Sequence, residues 1–172
     1  MVKSIIYIIS QILVVIYCLI YSSTFMLDDE SDILKRGILA IAVSAISYLL
    51  LGAYTGVAMC IIAIIRNFIF SKSKSFDCLI IIYAVIIFAS VISYQNVYSL
   101  LNISATMIYT YALWQNSVKR YKFCGIIVNT LMIMYDISIM SFVGAVFMVV
   151  AVISSIVGYV KGRELAHAIV HK

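Results

Sequence analysis

Two charged residues stand inside otherwise apolar stretches of this sequence. Arg66 follows Ala63-Ile64-Ile65 and precedes Asn67, and Asp136 follows Met132-Ile133-Met134-Tyr135. A guanidinium so placed either reaches a polar boundary along its aliphatic stem or meets an anion or polar ligand inside. At about 1.5 Å of rise per residue, Arg66 lies roughly 9 Å in from the polar cluster that begins at Lys72. Asp136 must face a protein interior. It is either a proton or cation site, or a structural acid bonded to a tyrosine hydroxyl such as Tyr48 or Tyr109. The same rise separates the two charges by roughly 10 Å in depth, which is long for a direct ion pair.

Smaller polar groups recur near them at helical spacing. Gly125, Asn129, Met132 and Asp136 share one helix face, Asn102, Thr106 and Tyr109 share another, and Gly37, Ile41, Ser44 and Tyr48 a third. The candidate ligand-binding residues are therefore Arg66, Asn67, Asn129, Asp136, Asn102, Tyr48, Tyr109, Ser154 and Ser155. Most such groups serve as hydrogen-bonded glue between helices, at about 0.6 kcal/mol each. Ala151, Ser155 and Gly158 form a small-residue stripe suited to close helix packing, and Tyr21, Tyr54, Tyr94 and Tyr98 are expected at membrane interfaces.

Catalytic patterns are missing. Nothing resembles a nucleophile elbow, a P-loop or an H-E-x-x-H helix, so no enzyme and no cofactor are expected. His167, His171 and Glu164 in the tail are too few for a metal site and read as a solvated amphipathic segment. Cys18, Cys60, Cys78 and Cys124 form no C-x-x-C pair and imply no disulfide framework.

The elements that must position these residues are dictated by composition. Apolar residues make up 65% of the 172, charged residues only 11%, and proline is absent, which excludes an ordinary soluble domain. A bilayer core takes about 20 largely apolar residues per helix. Cutting at polar clusters gives seven spans, over about 5–25, 37–51, 55–70, 78–93, 97–115, 123–140 and 142–160. The breaks after the second and sixth are the weakest, and kinks there would leave five spans. The stretch 5–25 lacks a small-x-small cleavage pattern and reads as a retained span.

Charge placement favours seven. Lys35, Arg36, Lys72, Lys74, Lys119, Arg120, Lys122, Lys161, Arg163 and Lys172 then fall on one side, against Lys3 alone on the other. The positive-inside rule puts the N-terminus outside and the C-terminus in the cytoplasm. An 88-residue shift lays Gly37-Ile38 on Gly125-Ile126, Gly56 on Gly144, Ala63 on Ala151 and Ile65 on Ile153, and a 94-residue shift lays Tyr17 and Ser23 on Tyr111 and Ser117. With seven spans this reads as a parallel repeat, three plus one plus three, a symmetry that recurs in secondary carriers.

The stretch Leu50-Leu51-Gly52-Ala53-Tyr54-Thr55-Gly56, with Ala63-Ile64-Ile65-Arg66-Asn67 and Lys72-Ser73-Lys74-Ser75, resembles the YgjV-type bacterial inner membrane proteins. Ala105-Thr106-Met107-Ile108-Tyr109-Thr110-Tyr111-Ala112-Leu113-Trp114 is similar to that family's fifth span, and the likeness runs from about Ile33 to Arg163. It implies a small multi-span inner membrane protein without an assigned activity. The chain departs from the family's tendencies at Ala63 and at Tyr135-Asp136 and Ser138. The layout is also similar to SWEET-type sugar facilitators and PnuC-type vitamin carriers, although the proline hinge of that wider group has no counterpart here. Rocking would then use Gly52, Gly56, Gly125 and Gly144 as soft points.

The expectation is thus an all-α polytopic membrane protein with a first three-helix repeat over 5–74, a linker helix over 78–93, a second repeat over 97–163 and a cytoplasmic tail over 164–172. It would sit in the bacterial plasma membrane with lipid as its main partner, as a homo-oligomer if it assembles, and without nucleic acid. Function would be that of a carrier for a small polar metabolite, or alternatively a non-transporting scaffold that uses Arg66 and Asp136 as assembly contacts.

Overall fold

The computed structural model describes the backbone of residues 2–115 and 117–170, and the side chains of residues 4–115 and 117–161. The expectations for Glu164, His167 and His171 lie outside the residues whose side chains are described. Seven helices follow one another: α1 (Val2–Thr24), α2 (Glu30–Leu50), α3 (Tyr54–Lys72), α4 (Phe76–Ser93), α5 (Ser99–Trp114), α6 (Val118–Ser138) and α7 (Phe142–Val170). No strand occurs among the described residues, and the chain is an all-α membrane protein. With no water in a bilayer core, backbone groups must pair within the segment, which helices achieve.

Helices α2 and α6 begin at Glu30 and Val118, seven and five residues before the expected spans. The reason is capping. Asp29 accepts from the Asp32 amide at 3.1 Å and Ser117 from the Arg120 amide at 3.5 Å, so a charged first turn extends the helix past its apolar part. Glu30 and Asp32 also suit the positive end of the α2 dipole.

Both doubtful breaks are true turns, closed by the same motif. After α2, the Ala53 amide donates to the Tyr48 carbonyl at 2.9 Å and the Gly52 amide to the Leu49 carbonyl at 3.1 Å, with Gly52 at φ +71°. After α6, the Ser141 amide donates to the Asp136 carbonyl at 2.8 Å and the Met140 amide to the Ile137 carbonyl at 3.1 Å, with Met140 at φ 60°. These are Schellman caps, which need a left-handed residue just past the helix. Glycine supplies it without strain in the first; methionine supplies it at a steric cost in the second.

Helices α1, α2, α3, α5, α6 and α7 each pack on the next, and α7 closes on α1. Helix α4 lies outside this ring against α3 and α5, burying Leu79, Ile82 and Ile86 on one side. Helices α3 and α5 run in the same direction. Thr55 meets Ser99 near their starts at 3.2 Å, and Arg66 meets Thr110 toward their ends at 3.1 Å.

The connections gather at two ends. At one, Lys74 pairs with Glu30 at 2.6 Å, Lys122 with Asp28 at 2.8 Å, and the Trp114 indole donates to the Lys74 carbonyl at 3.0 Å. Lys35, Arg36, Lys72, Lys119 and Arg120 lie near this same end of their helices. At the other end, the Tyr7 hydroxyl donates to the Met140 carbonyl at 3.3 Å, Gln95 to the Gly52 carbonyl at 3.3 Å, and Thr55 to the Ser93 carbonyl.

Five helices, α1 to α4 and α7, are long and apolar enough to cross a membrane. Helix α5 has only 16 residues, and α6 carries Lys119, Arg120 and Lys122 in its first two turns. Cys18 and Cys60 are buried free thiols, and Cys78 and Cys124 are half-buried free thiols. Two expectations need correction. Tyr21 is buried, stacking on Tyr17 at 5.6 Å and meeting the Phe25 ring edge-on at 5.2 Å, because it lies on the inward face of α1. Of the four glycines expected as soft points, only Gly52 lies in a turn. Gly56 and Gly144 sit within helices where an added Cβ would come 2.9 Å from Tyr48 and 2.9 Å from Asp136, so they are sites of close approach.

Candidate functional site

Arg66 is the centre of the site. It stands near the middle of α3, with Phe70 one turn on and the basic end beyond. Its side chain does not snorkel. It is 1% exposed and turns toward α5, where Nη1 donates to the Thr110 hydroxyl at 3.1 Å. Nε and Nη2 both donate to the Asn67 side-chain oxygen, at 3.0 and 2.9 Å. The guanidinium lies over the Tyr109 ring, 5.2 Å from its centroid, as cation–π attraction favours. Among the described residues no carboxylate forms an ion pair with it.

The sequence sets this up through one α5 stripe. Asn102, Thr106 and Thr110 recur every fourth residue, and Tyr109 flanks them. Thr106 and Thr110 donate back to the Asn102 and Thr106 carbonyls at 2.9 and 2.7 Å. A threonine hydroxyl occupied in this way presents its lone pairs outward, and Thr110 gives one to Arg66.

A cavity of about 80 Å³, lined almost wholly by buried residues, lies beside the guanidinium. Five helices wall it: Tyr17 and Tyr21 from α1, Ser44 and Tyr48 from α2, Cys60 and Ala63 from α3, Asn102, Thr106 and Tyr109 from α5, and Val128 and Met132 from α6. Drug-sized ligands occupy about 300–1,000 Å³, so this space suits a few waters or a very small solute. The Asn102 amide nitrogen has no hydrogen-bond partner, although it lies close to the equally unpartnered Tyr135 hydroxyl.

Of the nine residues singled out by sequence, Arg66, Asn102, Tyr48 and Tyr109 line the cavity. Asn67 sits behind the guanidinium as its acceptor. Asn129 lies deeper, accepting from the Tyr21 hydroxyl at 3.1 Å and donating to Ser155 at 3.2 Å. Ser155 is fully buried on the stripe with Ala151 and Gly158, and Ser154 is half-buried beside it. Asp136 is 2% exposed and accepts from the Tyr48 hydroxyl at 3.2 Å, one of the two tyrosine partners expected for it. It makes no ion pair with Arg66.

Sequence reasoning missed Thr110 and Tyr121. Thr110 continues the fourth-residue stripe and was legible there. Tyr121 accepts from Tyr109 at 2.6 Å, bonds Thr24 at 2.7 Å and stacks on Phe25 at 5.2 Å. Its place among the charges Lys119, Arg120 and Lys122 concealed that role.

A wider vestibule of about 740 Å³ opens at the basic end, lined by Lys72, Lys74, Arg120, Glu30, Tyr111 and Trp114 among others. Phe70 also lines it, one helical turn from Arg66, or about 6 Å of rise. Among the described residues no three histidine, cysteine or acidic side chains gather as metal ligands.

No curated protein and no solved structure matches the chain. A match to a known family does exist, over residues 8–165, and it accounts for nearly the whole sequence. The chain belongs to the Imp-YgjV family of bacterial inner membrane proteins.

Proposed function

We propose that this inner membrane protein is a carrier for a small polar metabolite. The observation that carries the reading is the cavity walled by five helices, with a guanidinium on its lining that has no carboxylate partner among the described residues. A charge inside a membrane bundle is costly and tends to mark a substrate path.

All seven helices cross in this reading. The short α5 runs beside α3 between the Thr55–Ser99 and Arg66–Thr110 contacts, so it covers much the same depth. The basic end faces the cytoplasm, which places the N-terminus outside. The helices form two three-helix units in parallel, joined by α4. In support, α2 and α6 are both 21 residues long, begin 88 positions apart and end in the same Schellman cap. Tyr48 and Asp136 are likewise 88 apart, so their hydrogen bond joins matching positions of the two units. The units rock about this contact, opening the cavity alternately to the vestibule and to the far side. The protein is not an enzyme, and its partners are lipid, the carried solute and, where it assembles, further copies of itself.

The scaffold reading has two observations in its favour: Asp136 is already bonded to Tyr48, and the cavity is small. Native mass spectrometry of protein released from mild detergent, with pooled sugars, vitamins, nucleosides and amino acids, separates the two. A bound small molecule lost on Arg66→Ala supports the carrier. No ligand across the pools, with Arg66→Ala and Asp136→Ala impairing only folding or assembly, moves the assignment to the scaffold.

A further inference from the structure

We infer that the cavity beside Arg66 binds a short monocarboxylate, taken by the two free N–H groups of the guanidinium and by the Asn102 amide. As an assignment of transported substrate it rests on the carrier reading; as a binding site it stands on the cavity itself.

The argument begins with donors. Arginine has five N–H groups, and Arg66 uses three of them on Asn67 and Thr110. Asn67 takes Nε and one hydrogen of Nη2, and Thr110 takes one hydrogen of Nη1. One N–H therefore remains on each terminal nitrogen, and both are charge-assisted donors of the kind carboxylate oxygens accept. Asn102 adds a further amide on the same wall, with the Tyr135 hydroxyl as neighbour to one hydrogen and a second hydrogen left for an acceptor. Among the described residues the site offers donors with hydrogens to spare and a positive charge without a counterion, and both deficits are met by one acceptor-rich anion.

Charge and size narrow the class. Among the described residues Arg66 is the only charged one lining the cavity, so a monoanion leaves the site neutral, whereas a dianion would leave a buried negative charge uncompensated. About 80 Å³ is room for roughly three waters at about 30 Å³ each, which restricts the ligand to the smallest acids, of two or three carbons. The remaining lining, with Ile41, Met59, Ala63, Val128 and Met132, suits a short hydrocarbon tail better than a ring of hydroxyls. Among the described lining residues Lys74 is paired with Glu30, and Lys72 and Arg120 leave the vestibule electropositive, which gathers anions one turn from Arg66.

The test uses the full chain in mild detergent, and then in liposomes. Thermal unfolding is followed with acetate, lactate and pyruvate, against acetamide and lactamide as neutral isosteres, and against chloride and phosphate at equal ionic strength. The expected result is a saturable upward shift with the acids alone. Arg66→Lys keeps the charge but loses the planar fork, and should weaken the acids at least tenfold; Asn102→Ala should weaken them several-fold. Amides that stabilise as well as acids, an equal shift with chloride or phosphate, or acid binding unchanged in Arg66→Lys would each overturn the inference. Should Arg66→Lys not fold, the acid-against-amide comparison and Asn102→Ala decide. Uptake of labelled lactate separates this inference from the carrier reading. Binding without uptake keeps the carboxylate site and removes the carrier; uptake of neutral solutes with no acid binding keeps the carrier and removes the site.

Discussion

Replacing Arg66 by methionine should leave stability within about 1 kcal/mol of the parent while abolishing carboxylate binding. The side chain is buried, makes three hydrogen bonds to neutral partners and covers one aromatic face. Hydrogen bonds between membrane helices contribute about 0.6 kcal/mol each, so the three together give roughly 2 kcal/mol. The ring contact adds roughly 1 kcal/mol. Against this, an arginine held at the centre of a membrane helix costs about 2.5–3.5 kcal/mol on insertion scales. Methionine has similar length and adapts to irregular space, and the two sides nearly cancel. The assay is reversible unfolding in mixed micelles, read by thiol labelling of buried Cys18 and Cys60 in a background with Cys78 and Cys124 changed to serine. A loss above about 3 kcal/mol is what removal of a partner from a buried ionic network produces. That result would make the guanidinium a structural keystone and refute the reasoning that it awaits an anion.

Other outcomes follow from the turns, the ion pairs and the close contacts. Gly52→Ala should cost about 1 kcal/mol through its positive φ alone, since no atom lies within 4 Å of the added Cβ, and Met140→Gly should gain up to about 1 kcal/mol, both read by the same unfolding assay. Asp28→Ala should destabilise more than Lys122→Met, by about 1–2 kcal/mol against less than 1, because Lys122 is 5% exposed and Asp28 77%, so removing the acid strands a buried cation. Gly144→Ala should cost about 1–3 kcal/mol, since its Cβ would lie 2.7 Å from the Ser141 hydroxyl and 2.9 Å from an Asp136 oxygen. Asp136→Asn, which keeps an acceptor for Tyr48, should unfold within about 1 kcal/mol of the parent.

Much of this architecture was legible in the sequence. Apolar runs separated by polar clusters gave the helix count, and Gly52 marked the first tight turn. Met140 carried no such mark, because its left-handed conformation is imposed by the cap geometry and not favoured by its side chain. Helix starts were harder. Charges at Glu30 and Lys119 read as loop, yet Asp29 and Ser117 cap helices that run through them. For the site, the face of Asn102, Thr106 and Tyr109 was visible from spacing, and so was the cost of a charge at Arg66. The direction in which Arg66 turns was not, since a side chain this long can reach outward toward the basic end or inward with the same local sequence. Only the acceptors Asn67 and Thr110 settle it, and Thr110 belongs to a helix 44 residues on.

Helix α4 buries little, yet it decides the parity of the chain. Because α3 and α5 run the same way, the polypeptide must return once between them, and α4 is that return. In the proposed division a three-helix group makes an odd number of traverses. Two such groups joined head to tail without a return would stand in opposite senses, and Tyr48 and Asp136 would be carried to opposite ends instead of meeting. Helix α4 thus acts as an adaptor whose presence counts far more than its contacts. Its deletion should invert everything downstream, whereas another apolar span of similar length that keeps the small face of Leu79, Ile82 and Ile86 should serve in its place.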